Sequence, residues 1–185
     1  TSGEGQSIKE VNTPELYGWL RSLFPAGRVI FLVRDPFDTL DSYIDLQKPE
    51  SWNERFADNL PANPENRIRH AAELIRESMT AAMDAYEMHP ENQRLLISYE
   101  DLLIDPAPHL KACSELLGEP VDQTAIEAAV EKHQFKKHKE TGTLQFRRYG
   151  KAGVWQQSEN FTPEVLRIAN EILGPLRRRF GYHNS

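Results

Sequence analysis

The sequence has little cysteine, no long apolar run and no excess of positive charge. Cys113 is the single cysteine among 185 residues, which excludes an internal disulfide and favours a reducing compartment such as the cytoplasm. No run of about eighteen apolar residues is present, so no membrane span is predicted. The net charge of −6 argues against a general nucleic-acid binder, because such proteins need excess Lys and Arg. A small anionic ligand remains compatible with this charge, since it needs only a few local cations.

Metal-ligand spacing and internal repeats are absent as well. His133 and His138 lie in a basic loop without metal-ligand spacing or nearby cysteines, and no metal is predicted. A chain of 185 residues with 39% hydrophobic residues can bury a core, but it is too short for two domains of ordinary size. We therefore predict a single domain over residues 1–185.

Strand patterns alternate with amphipathic helical patterns along the chain. Residues 28–33, "RVIFLV", form a continuous apolar run that is typical of a parallel strand covered on both faces. Further strands are predicted at 7–11 and 94–98. Helices are predicted at 12–25, 64–90, 107–118, 121–133 and 162–182, and one more helix starts at Asp35. This alternation predicts an α/β fold, in which a parallel sheet carries helices on both faces as a three-layer structure.

The turn after "RVIFLV" is the first candidate site. Ligands of open α/β sheets bind outside the carboxyl ends of the strands, and Arg34 lies at such an end. Asp35 is the predicted N-cap of the next helix and Pro36 its first residue, which places Asp38 and Ser42 on one helix face. Arginine, serine hydroxyl and helix N-terminus together suit a phosphate. The alternative is an Arg34 that pairs with Asp35 or Asp38 at a surface turn.

Three segments, taken in order, resemble the sulfotransferase family that uses 3′-phosphoadenosine 5′-phosphosulfate. "VIFLVRDPFDTLDSY" is similar to the family's segment for the donor's 3′-phosphate, and the resemblance implies Arg34 and Ser42 as ligands. "SYEDL", followed by "LLGEPVD", is similar to the segment whose tyrosine lies near the adenine, which corresponds to Tyr99. The resemblance also implies a fold like that of P-loop nucleotide-binding proteins.

"FRRYGKAGVW" resembles the family's late loop, which closes over the same 3′-phosphate. It implies that Arg148, Tyr149 and Gly150 contribute to the nucleotide site. Tyr149 stands where the family has Lys, so this wall carries less positive charge. The implied co-substrate is 3′-phosphoadenosine 5′-phosphosulfate and the implied product adenosine 3′,5′-bisphosphate, with no metal.

The family's 5′-phosphosulfate loop, with its strand, Gly-rich turn and helix, has no counterpart in this sequence. The loop belongs upstream of residue 7, and only six residues precede that position. The expectation is a single sulfotransferase-like domain whose N-terminal strand, loop and helix lie outside these 185 residues.

Catalytic candidates follow from the resemblance to the segment before the Arg-Asp-Pro turn. Lys9 matches the family's lysine by its separation from Arg34, and Glu10 is the candidate base. Consecutive strand residues point to opposite faces, so the two share a site only where the chain has left the strand. The alternatives are a solvent-facing Glu10 and a base supplied by His70.

The resemblance implies transfer of a sulfuryl group to a hydroxyl or amine, on a small-molecule, carbohydrate or peptide acceptor. The alternative is a non-catalytic nucleotide-binding or interaction module of the same fold. Two further side-chain sets are interpreted as structural: Cys113 as a core residue, and "LRRRF" near the end as a helix surface.

Overall fold

The computed structural model describes residues 16–48, 61–119, 121–133 and 152–182. The predicted strand at 7–11 lies outside these ranges. The described elements are, in order, α1 (Leu16–Leu23), β1 (Val29–Val33), α2 (Pro36–Leu46), α3 (Pro64–Met88), β2 (Arg94–Ser98), α4 (Tyr99–Ile104), α5 (Pro106–Leu117), α6 (Gln123–Lys132) and α7 (Pro163–Arg179). Short 3-10 turns occupy Glu91–Gln93 and Val154–Gln157.

The two described strands, β1 and β2, are neighbours and run parallel. Their register pairs Val29 with Arg94 and Val33 with Ser98. Both strands therefore end at the same edge, and the residues that follow them meet there. The prediction of parallel strands joined by helices is confirmed.

One face of β1 is covered and the other is open. Phe31 packs edge-on against Tyr86 of α3, with ring centroids 5.4 Å apart. Ile30 and Leu32 point the opposite way and are 39% and 58% exposed. The burial predicted for both faces is thus not seen at Ile30 and Leu32 among the described residues, whereas α3 packs on the Phe31 side.

The main core lies between α2, α3 and α7. Each of these helices has an apolar stripe at helical spacing, and the three stripes meet. The cluster consists of Phe37, Leu40, Ala71, Ala72, Ile75, Val165, Ile168, Ala169, Ile172 and Leu173. Trp155 and Phe161 pack against Phe37, with ring centroids 5.0 and 5.7 Å away. This core fixes α2, and with it the turn after β1.

The predicted start of α2 is confirmed, and the other described helix ends lie within a few residues of the predicted bounds. The Asp35 side chain accepts a hydrogen bond from the Phe37 N–H at 2.8 Å, and Pro36 begins α2. Thr162 and Asp122 cap α7 and α6 in the same way. Gly118 ends α5 with a φ of +71°, a conformation that favours glycine. None of the described helices is long and apolar enough to cross a membrane.

Candidate functional site

Arg34 follows the last residue of β1 at the shared strand edge. Its side chain is 33% exposed, and its nearest ion-pair contact is 4.0 Å, from a guanidinium nitrogen to Asp38 Oδ2. Its Nε atom is buried and has no hydrogen-bond partner in the part of the chain described. Buried donors are normally paired, so this atom has capacity for a ligand.

Tyr99 is the first residue after β2, so the parallel register brings it beside Arg34. The Arg34 guanidinium carbon lies 5.1 Å from the centre of the Tyr99 ring, within cation–π distance. Two of the predicted nucleotide-site residues are therefore neighbours. The ring also supports the guanidinium from one side and limits the directions in which it can point.

The structure says less about the other predicted site residues. Ser42 is half-buried on α2, one turn beyond Asp38. Lys9, Glu10 and the range 148–150 lie outside the described residues, so their roles remain predictions. His70, the alternative base, is exposed on α3.

Asp38 is the most deeply buried charged group of the site, at 1% exposure. Its Oδ2 accepts the Gly153 N–H at 2.8 Å and its Oδ1 accepts the Trp155 N–H at 2.9 Å. Burial raises the pKa of Asp38, while the two N–H groups and Arg34 act in the opposite direction. The last residues of the "FRRYGKAGVW" motif, here called the late motif, are thus hydrogen-bonded to α2, the helix that follows Arg34.

Four buried aspartates, here called the aspartate row, occupy one side of the α2 region: Asp35, Asp38, Asp41 and Asp45. Asp41 accepts hydrogen bonds from the Ser158 hydroxyl and, at 2.8 Å, from Asn160 Nδ2. The Asn160 amide also donates to Asp45 at 3.1 Å. Sequence reasoning missed this row, although the spacing of three and four residues was a visible signal.

Arg177 neutralises the first member of the row. It is 5% exposed and donates from Nε and a terminal nitrogen to the two oxygens of Asp35, both at 2.9 Å. Its guanidinium carbon also lies 4.2 Å from the centre of the Phe37 ring. The interpretation of "LRRRF" as helix surface is therefore wrong for Arg177. Its place four residues after Leu173 puts it on the apolar stripe of α7, and that spacing was the signal.

Glu100 joins the two strand ends and the C-terminal residues. Its carboxylate accepts the Asp35 N–H at 2.9 Å, the Ser98 hydroxyl at 3.0 Å and the Tyr182 hydroxyl at 2.5 Å. Burial, and next the bond to Glu100, raises the pKa of Tyr182. Because the peptide after Arg34 is held by this carboxylate, Glu100 fixes the backbone from which Arg34 projects.

Tyr182→Phe is expected to lower the free energy of unfolding by about 1.5 to 3 kcal/mol, the usual range for a hydrogen bond to a charged group. The measurement is urea denaturation followed by circular dichroism. Tyr99→Phe is the matched control, because it keeps the ring beside Arg34, and it should change stability by less than about 0.5 kcal/mol. Equal losses of unfolding free energy in the two variants would show that the hydrogen bond from Tyr182 to Glu100 does not stabilise the fold.

Comparison with solved structures shows a similar fold in two complexes. Mouse sulfotransferase SULT7A1 complexed with PAP is 20% identical with a TM-score of 0.60, and the match covers 88% of this chain and 63% of that one. Retinol dehydratase in complex with androsterone and inactive cofactor PAP is 19% identical with a TM-score of 0.54, and the match covers 82% and 49%. The chain thus spans about half to under two-thirds of the length of these proteins.

No curated protein sequence matches the chain significantly. The family model described as "Sulfotransferase domain" matches residues 16–181, nearly the whole length. The matched range contains β1, the Arg34 turn, Tyr99 and the Gly153–Trp155 segment. The chain therefore belongs to the sulfotransferase domain family.

Proposed function

We propose that this chain forms the nucleotide-binding part of a sulfotransferase, which moves a sulfuryl group from 3′-phosphoadenosine 5′-phosphosulfate to a hydroxyl or amine. The observation that carries the proposal is Arg34 at the shared strand edge, with a buried Nε that has no partner among the described residues. The adjacent Tyr99 ring adds an apolar surface of the kind that an adenine needs.

The site residues have separate proposed roles. Arg34, Ser42 and Arg148 hold the 3′-phosphate, since a phosphate binds best to arginine and hydroxyl donors. Gly150 permits close approach of the backbone, and Tyr149 lines the same wall. Tyr99 contacts the adenine edge of the site. The two solved relatives were crystallised with PAP, which is adenosine 3′,5′-bisphosphate, and this supports the same ligand here.

The proposed transfer forms a bond between the acceptor oxygen or nitrogen and sulfur, while the bond from sulfur to the 5′-phosphate oxygen breaks. The acceptor's proton needs a base, and the charge on the sulfuryl oxygens needs cations. Glu10 is proposed as the base and Lys9 as the cation. The chemistry requires no metal.

The acceptor is a small molecule, carbohydrate or peptide, and a cytoplasmic location fits the single cysteine.

Isothermal calorimetry with adenosine 3′,5′-bisphosphate tests the proposal. We expect one site per chain, with adenosine 5′-phosphate at least about tenfold weaker, because it lacks the phosphate that Arg34 would bind. Absence of binding, by this chain and by a version extended with any coding sequence upstream of Thr1, would refute the proposal. Binding without sulfuryl transfer by the extended version would favour the non-catalytic module.

A further inference from the structure

Asp38 contacts both walls of the candidate site. Its Oδ2 accepts the Gly153 N–H at 2.8 Å and lies 4.0 Å from an Arg34 guanidinium nitrogen. Its Oδ1 accepts the Trp155 N–H at 2.9 Å. One carboxylate therefore stands between the arginine that follows β1 and a segment more than 100 residues later in the chain.

The Gly153 backbone makes this arrangement possible. Its φ is +69°, in the left-handed region that glycine adopts without strain. The chain turns there into the 3-10 turn Val154–Gln157. As a result, the N–H groups of residues 153 and 155 meet the same carboxylate, which anchors the segment at a fixed point beside Arg34.

The described end of the late motif meets α2 beside Arg34. The Gly153 and Trp155 N–H groups bind the same carboxylate that lies 4.0 Å from Arg34. The Trp155 ring also packs on Phe37 of α2, with ring centroids 5.0 Å apart, but the Asp38 carboxylate is the contact that also reaches Arg34.

We propose that Asp38 is a positioning residue that couples the two walls of the nucleotide site, by orienting Arg34 and by holding the Gly153 end of the late motif against α2. This inference rests on the proposed function. Asp38 touches no ligand in this scheme. It acts through Arg34 and through the late motif, so its loss should weaken recognition of the 3′-phosphate rather than of the nucleotide as a whole.

The test compares Asp38→Asn with Asp41→Asn by calorimetry, using adenosine 3′,5′-bisphosphate and adenosine 5′-phosphate. An asparagine carries an NH2 group in place of one carboxylate oxygen, so at position 38 one of the two N–H groups would face a donor instead of an acceptor. We expect Asp38→Asn to reduce affinity for the bisphosphate by about tenfold, and for the monophosphate by less than about twofold. Asp41 is equally buried and holds Ser158 and Asn160, so Asp41→Asn should lower the Tm yet leave the ratio of the two affinities unchanged.

Gly153→Ala changes the other partner of the Asp38–Gly153 hydrogen bond. This variant replaces Asp38→Asn in the test if Asp38→Asn does not fold. An alanine Cβ there lies 3.7 Å from Gln156 Oε1, an ordinary contact, so the substitution acts only through the strain of a positive φ. It should lower the affinity ratio by about threefold to fivefold. The inference is overturned if the variants at positions 38 and 153 keep the wild-type ratio. The wild-type affinities alone test the proposed function, so the two failures are distinguishable.

Discussion

Arg177→Met is expected to lower the free energy of unfolding by about 3 to 5 kcal/mol. The substitution keeps the apolar length of the side chain on the α7 stripe but removes both hydrogen bonds to Asp35. Asp35 is itself buried, so its carboxylate is left without the cation that neutralises it. Urea denaturation followed by tryptophan fluorescence is a suitable measurement, because Trp155 lies 5.2 Å from the Arg177 guanidinium carbon.

Two further variants separate the ion pair from general damage to α7. Arg178→Met changes the exposed neighbour and should cost less than about 0.5 kcal/mol. The double variant Arg177→Met with Asp35→Asn should recover part of the loss, because asparagine is also a good N-cap and carries no charge. A loss below about 1 kcal/mol in Arg177→Met alone would contradict the importance assigned to this pair.

Arg34→Met is expected to weaken binding of adenosine 3′,5′-bisphosphate by about 10- to 150-fold, the equivalent of a charge-assisted hydrogen bond worth about 1.5 to 3 kcal/mol. Stability should change little, because the only described ion pair of Arg34 is the long contact with Asp38 and its Nε has no described partner. Calorimetry measures the affinity, and a thermal melt measures the stability.

Arg28→Met is the matched control for Arg34→Met. Arg28 precedes the same strand at its amino end, where its guanidinium donates to the Leu117 carbonyl at the end of α5. The control removes the same charge from the chain, so a general electrostatic effect on an anionic ligand would appear in both variants. Equal affinity losses would place the nucleotide away from the carboxyl end of β1.

The sequence predicts the described elements well where the signal is local. Asp35 and Pro36 at the start of α2, Thr162 at the start of α7 and Gly118 at the end of α5 each act on the adjoining turn of backbone. The proximity of Arg34 and Tyr99 was also predictable, because parallel strands end at one edge and each residue follows a strand directly.

The partners of the aspartate row could not be predicted from the sequence. Asp35 and Arg177 are 142 positions apart, and Asp38 and Trp155 are 117 apart. Local patterns describe each residue alone: an aspartate on a helix face is usually solvated, and three consecutive arginines suggest a charged surface. Only the packing of α2 against α7 shows that these groups are buried together. Likewise, the strand pattern of β1 could not show that α3 covers one face and leaves Ile30 and Leu32 open.

The aspartate row also dictates an order of assembly during synthesis. Ribosomes release α2 long before Gly153, Ser158, Asn160 and Arg177, which supply partners to its carboxylates. If those carboxylates were buried earlier, their charges would be buried without partners. The nascent α2 helix therefore cannot pack into the core until residue 177 has emerged. The turn that carries Arg34 leads directly into α2 and is completed together with it. The candidate site is therefore completed only after residue 177 has left the ribosome, and a nascent chain that stalls before that residue has no finished site.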